Sequence, residues 1–164
     1  MGTPGLGVLV QSQDPGLVVA EIGPVCLALW RSTVTRERFE AQRRGLERVV
    51  RAHPGEAGFL CLIEPTSPVP SVELQRASAS LIAIHRPRLK FVACVIEGDG
   101  LRAFVVRRVL NGMRALVTGR VNYGFYPTVA VAAIELARVF PACGLPEAIE
   151  QGVESARALM GPAS

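Results

Sequence analysis

Lysine is nearly missing from this chain. Lys90 is the only one among 18 basic residues, and the others are arginine. Set against 14 acidic residues, they leave a net charge of +4. An arginine bias of this kind commonly follows from a GC-rich genome, so the charge alone does not identify a partner. Aromatic residues make up only 5% of the chain, a poor supply of platforms for stacking on bases, so nucleic acid is not an expected partner. Histidine is confined to His53 and His85, each near the end of a helix-like segment and neither beside an evident nucleophile or acid. No catalytic residue is therefore assigned, and an enzyme is not expected. The four cysteines, Cys26, Cys61, Cys94 and Cys143, form no C-x-x-C pair, and neither H-E-x-x-H nor D-x-D occurs. Neither a metal site nor a cofactor is expected. No apolar run approaches the roughly 20 residues of a spanning helix. The first residues lack the positive and cleavage regions of a leader, so a cytoplasmic location is expected.

What the chain has is apolar residues: 49% of its 164, with a mean hydropathy of +0.32. A length of this order points to one domain with a substantial core. Cys26, Cys61 and Cys94 sit inside apolar runs, "PVCLAL", "GFLCLIE" and "FVACVIE", where a free cysteine acts as a small hydrophobe.

The period of the pattern changes along the chain. Residues 6–12 and 16–30 read as strands, joined at "QDPG" and with a possible break at Gly23-Pro24,. From residue 33 to 53, Phe39, Gln42, Leu46, Val49 and Val50 share one face of a helix. Thr33 or Thr35 caps its start, and His53-Pro54-Gly55 ends it,. Glu40/Arg44 and Glu47/Arg51 are spaced for ion pairs along it. "GFLCLIE" and "LKFVACVIE" read as strands buried on both faces. Between them lies a helix that opens at Ser71, with Leu74, Ala77, Leu81 and Ile84 as its stripe. Residues 101–116 read as a further helix with Leu101, Phe104, Val105, Val109 and Met113 inside. "RVNYGFYP" follows as an edge strand. Thr128 then caps an alanine-rich helix, and residues 146–160 form a last amphipathic helix with Pro146 in its first turn.

Alternating strands and helices of this kind make a sheet with parallel βαβ units. From about Gly7 to Phe140 the chain resembles the STAS family in its SpoIIAA-like, STAS/SEC14-type form. The resemblance rests on the order of elements and on "LVVAEIGPVCLALW", "GFLCLIE", "KFVACVI" and "YGFYPTVAVAAIELARVF". It implies an α/β fold: a SpoIIAA-like mixed sheet with helices mainly on one face. Residues 1–142 would form that domain, and residues 143–164 an added C-terminal helix and tail. It also implies a non-enzymatic regulatory or scaffolding module that works by protein contact. In such domains a switch serine or threonine opens the helix after the third strand of the family. Here that place reads "EPTSPVPS", with hydroxyls and prolines but without an Asp-Ser-Ser-Gly turn. A rigid contact loop is expected, formed by Thr66, Ser67, Ser71 and Val72.

Three further groups follow from the residues. Arg86, Arg88, Arg107 and Arg108 would make a basic rim for an acidic partner. Arg120, Asn122, Tyr123 and Thr128 would make an anion or ligand site beside a helix N-terminus. Phe91, Phe104, Leu110 and Met113 would line a small-molecule or lipid pocket in the alternative, SEC14-like reading, which leaves room for an enzymatic role. The tail helix could also mediate self-association.

Overall fold

A computed structural model describes residues 7–100, 104, 107, 108, 111 and 122–162. Two hairpins begin the chain: β1 (Leu9–Asp14), β2 (Leu17–Ile22) and β3 (Val25–Trp30) run antiparallel to one another. The first turn closes because the Asp14 carboxylate accepts from the amides of Gly16 and Leu17, at 2.6 and 3.1 Å. The second is the break at Gly23-Pro24. Gly23 sits at φ +55, a left-handed position that glycine takes without a Cβ penalty.

Parallel crossovers follow. Helix α1 (Arg36–Ala52) leads to β4 (Ala57–Ile63), and α2 (Val72–His85) leads to β5 (Leu89–Ile96). Strand β6 (Asn122–Tyr126) then pairs with β5 at the sheet edge. Helices α3 (Val129–Val139) and α4 (Pro146–Leu159) finish the fold. The six strands lie in sequence order, β1-β2-β3-β4-β5-β6, with β3 to β6 parallel. The α/β class and mixed sheet expected from the sequence are present, as is the C-terminal helix.

The expectation of helices mainly on one face does not hold. Helices α1 and α2 cover one face and α3 and α4 cover the other. The reason is topological. Right-handed crossovers that step along the sheet in one direction place their helices on the same side. After the edge strand β6 no further parallel strand follows, and the chain turns to the bare face. Gly58 of β4 makes room there: a Cβ at this position would meet the Phe140 ring at 2.5 Å. Ile149, Val153, Ala156 and Met160 of the tail share one core with β2 to β5, so the last helix covers its own chain's sheet.

Local signals read from the sequence hold at the caps. Thr35, Ser71 and Thr128 accept from the amides of Arg38, Leu74 and Val131. All five residues of the expected α1 stripe are buried. Gln42 belongs there because its Oε1 takes the Trp30 indole N–H at 2.8 Å. Three expectations are corrected. On α2, Leu81 is buried and Leu74 and Ala77 pack against the same core, but Ile84 is 72% exposed, and Ala79, Ile82 and His85 are buried beside Leu81. On α1, Arg43 bridges Glu40 and Glu47 at 2.8 and 2.6 Å, where Arg44 and Arg51 were expected to pair. Phe104 is exposed, not internal. The expected helix over 101–116 falls largely outside the described residues. Among those residues no helix is long and apolar enough to cross a membrane.

Candidate functional site

Strands β3, β4 and β5 end in register at Trp30, Ile63 and Ile96. The residues that follow, Arg31, Glu64 and Glu97, are charged, and their parity aims them at the α3/α4 face. Arg157 of α4 reaches between the two carboxylates. Its Nη1 donates to Glu64 at 2.6 Å and its Nη2 to Glu97 at 2.5 Å. Arg31 meets Glu64 through Nε and Nη2 at 2.5 and 3.1 Å, and its Nη1 donates to the Gly161 carbonyl at 2.6 Å. Glu64 is only 4% exposed. Burial works against the Arg157 charge, yet Glu97, Glu64 and Glu154 keep its pKa above the ordinary arginine value. Every charge here is answered by another within the chain, so the cluster acts as a clamp that ties α4 to the strand ends. The sequence carried the signal, since three apolar runs each end in a charged residue, "LALWR", "CLIE" and "CVIE".

The opposite face is built differently at the same end of the sheet. Between the strands and α2 lies a cavity of about 90 Å³. Its floor is Phe59, Cys61, Val92, Cys94, Tyr123 and Phe125, with Ala79 and Ile82 of α2 as one wall and Trp30 with Gln42 at the back. Tyr123 and Phe125 lie side by side on β6, ring centroids 6.2 Å apart and nearly parallel. The roof is the β4–α2 loop, which contributes Ser67, Pro68 and Pro70.

That loop is the expected contact loop, and its geometry divides the expected residues. Ser67 is turned inward: it is 2% exposed and its hydroxyl donates to the Ser32 carbonyl at 3.2 Å. Thr66 is exposed, with its hydroxyl on the Arg31 carbonyl at 2.8 Å. The two hydroxyls thus sew this loop to the β3–α1 loop. Ser71 is the cap of α2, and Val72 is 60% exposed. Ser67 as a contact residue is therefore corrected. Burial under the loop takes it out of reach of a partner or a modifying enzyme.

The basic rim is not assembled. Arg86 and Arg88 form the short turn before β5, whereas Arg107 reaches toward the Gly98 carbonyl beyond its other end, at 3.5 Å. The eight residues of β5 separate the two groups by roughly 26 Å at the usual rise per strand residue. Arg108 is exposed. The expected anion site is likewise divided. Asn122 begins β6 and Thr128 lies beyond its end, capping α3. Tyr123 belongs to the cavity floor, and Arg120 lies outside the described residues. Of the pocket residues expected from sequence, Phe91 points into the α3/α4 core and Phe104 to solvent; Leu110 and Met113 lie outside the described residues. Pocket and expectation differ because strand parity, invisible in a continuous apolar run, puts Phe91 on one face and Val92 on the other.

Two cysteines were missed as cavity residues. Cys61 and Cys94 are direct register partners on adjacent strands. A hydrogen bond to Cys61, together with burial, raises the Cys94 pKa well above the ordinary thiol value. Burial raises those of Cys26 and Cys143 too, the latter to about 12. The sequence signal was their equivalent place in two neighbouring strands, "FLCLI" and "VACVI". His85 packs between α2 and α1 with Nε2 3.9 Å from Glu47, and His53 closes α1. Among the described residues no group of three or more His, Cys, Asp or Glu is placed to hold a metal. No family model, curated protein or solved structure matches this chain.

Proposed function

We propose that this chain is a non-enzymatic sensory module of the cytoplasm, similar to STAS-type regulators. It takes a small apolar ligand in the cavity and reports by protein contact through the loop above it. One observation carries the reading: the same proline-rich loop has two working sides. Ser67, Pro68 and Pro70 line the cavity, while Pro65, Thr66, Val69 and Val72 face solvent. A ligand that presses on the inner side shifts the outer one, because prolines leave little freedom to absorb the movement. At about 90 Å³ the cavity is smaller than the roughly 150 Å³ that accommodates benzene in an engineered core, and far below a usual drug-sized site,. This favours a small apolar group over a lipid. The carboxamide oxygen of Gln42 at the back is already taken by the Trp30 indole N–H.

The test is nuclear magnetic resonance of the full chain under xenon, an apolar probe smaller than benzene. Shifts at Cys61, Ala79, Ile82 and Cys94 are expected, together with altered amide exchange at Thr66, Val69 and Val72. Cavity resonances that do not move would overturn ligand binding. Cavity resonances that move while the loop stays unchanged would overturn the coupling between ligand and contact surface.

A further inference from the structure

The cavity floor contains more than apolar surface. Cys61 and Cys94 face each other across one rung of the β4–β5 ladder, where neighbouring strands run about 4.8 Å apart. Both line the cavity, neither is in a disulfide, and Cys61 is partly accessible. The register sets the two side chains side by side on one face, where the thiols are hydrogen-bonded. Around them Phe59, Val92 and Phe125 keep the site apolar. Two thiols in direct register in such a pocket suit a soft centre that binds two sulfurs and carries a small apolar group.

We propose that Cys61 and Cys94 form a two-thiol clasp for a soft, thiophilic ligand of the trivalent-arsenical class. This rests on the reading of the cavity as a ligand site and names the chemistry of its occupant. With an arsenic(III) oxide R–As=O, both S–H bonds break, two As–S bonds form, and the oxygen leaves as water with the two protons. Arsenic stays trivalent, so no oxidant or reductant is needed. Burial and the hydrogen bond to Cys61 keep the Cys94 thiol protonated. The thiolate is the attacking form, so the raised Cys94 pKa slows the condensation without changing its balance. Cys143 lies across the sheet, donating to the Ile22 carbonyl at 3.2 Å, and Cys26 is fully buried on β3, on the same face as Cys61 but not in the cavity lining.

The test uses the full chain with methylarsine oxide and, as a smaller probe, arsenite, read by intact mass and by competition with a dithiol. One adduct per chain is expected, resistant to excess monothiol and released by 2,3-dimercaptopropanol. Cys61→Ala and Cys94→Ala should each weaken binding by about 100-fold, because the second bond to arsenic is intramolecular. Cys26→Ala and Cys143→Ala should leave it unchanged. Circular dichroism of each variant separates loss of the clasp from loss of the fold. Absence of an adduct with both probes, or an adduct indifferent to Cys61→Ala and Cys94→Ala, would overturn the clasp. Xenon-induced shifts in the Cys61→Ala/Cys94→Ala double variant would show the apolar site standing without it. Their absence in the wild-type chain would instead remove the ligand site itself.

Discussion

The two faces of the sheet use the same strands to opposite ends. On the α3/α4 side the residues interlock. Leu60, Leu62, Ala93 and Val95 meet Ala132, Leu136, Phe140 and Val153 with almost no exposure, and the strand ends are closed by the Arg31–Glu64–Arg157–Glu97 clamp. On the α1/α2 side the packing stops short, leaving a cavity floored by two thiols and roofed by a loop. One face holds the fold together, and the other has room to do something with it. The difference stems from chain order: helices α1 and α2 are fixed by crossovers between strands, while α3 and α4 dock after the sheet is complete.

The largest effect expected is on the clamped face. Glu64→Ala leaves Arg31 and Arg157 buried beside each other without their shared carboxylate. Breaking a buried pair in this way costs about 3–5 kcal/mol, read as the shift in a urea unfolding curve. A loss below about 1 kcal/mol, the level of an exposed pair, would mean that water already serves these charges and that the faces do not differ in this respect.

Next comes a pair of packing changes of opposite sense. Leu136→Ala, at a fully packed position, should lose about 2–5 kcal/mol. Ala79→Leu adds bulk to the cavity wall, where the empty space receives it. Its cost should stay below the roughly 1–3 kcal/mol of overpacking a filled core. Xenon binding should disappear with it. Equal costs for the added bulk at Ala79 and at Ala133, which is buried on the other face, would erase the distinction between the two sides.

Much of this was legible in the chain because local physics governs it. Hydroxyl caps at Thr35, Ser71 and Thr128, the α1 stripe and the order of strands and helices along the chain need only neighbours in sequence. Even Gln42 could be placed on a buried face, although the Trp30 N–H that justifies it lies 12 residues away. The misreadings share one cause. Strands buried on both sides are apolar throughout, so nothing in "KFVACVI" tells which residues face which helix. The assignment of Phe91 to the pocket and the oversight of Cys94 both follow from that. The basic rim failed for a related reason: arginines adjacent in a list of elements sat at opposite ends of one strand. Ser67 was beyond local reasoning too, since the carbonyl that holds it, that of Ser32, is 35 residues away.

The smallest effect expected is a pH dependence confined to the looser face. His85 is buried between α2 and α1, with Glu47, Arg88 and Arg43 around it. Burial lowers its pKa from the ordinary 6.5; Glu47 opposes the shift, and Arg88 and Arg43 reinforce it. The folded chain therefore binds this proton more weakly than the unfolded chain does. In the window just below 6.5 the unfolded state carries more protons, so stability rises with pH there and falls as the solution is acidified. Above 6.5 both states are neutral at this site and the dependence vanishes. His85→Gln should flatten that part of the stability–pH curve without altering the plateau above it. A wild-type curve that rises on acidification through this window would reverse the sign, and would show that Glu47 outweighs burial at the α1–α2 contact.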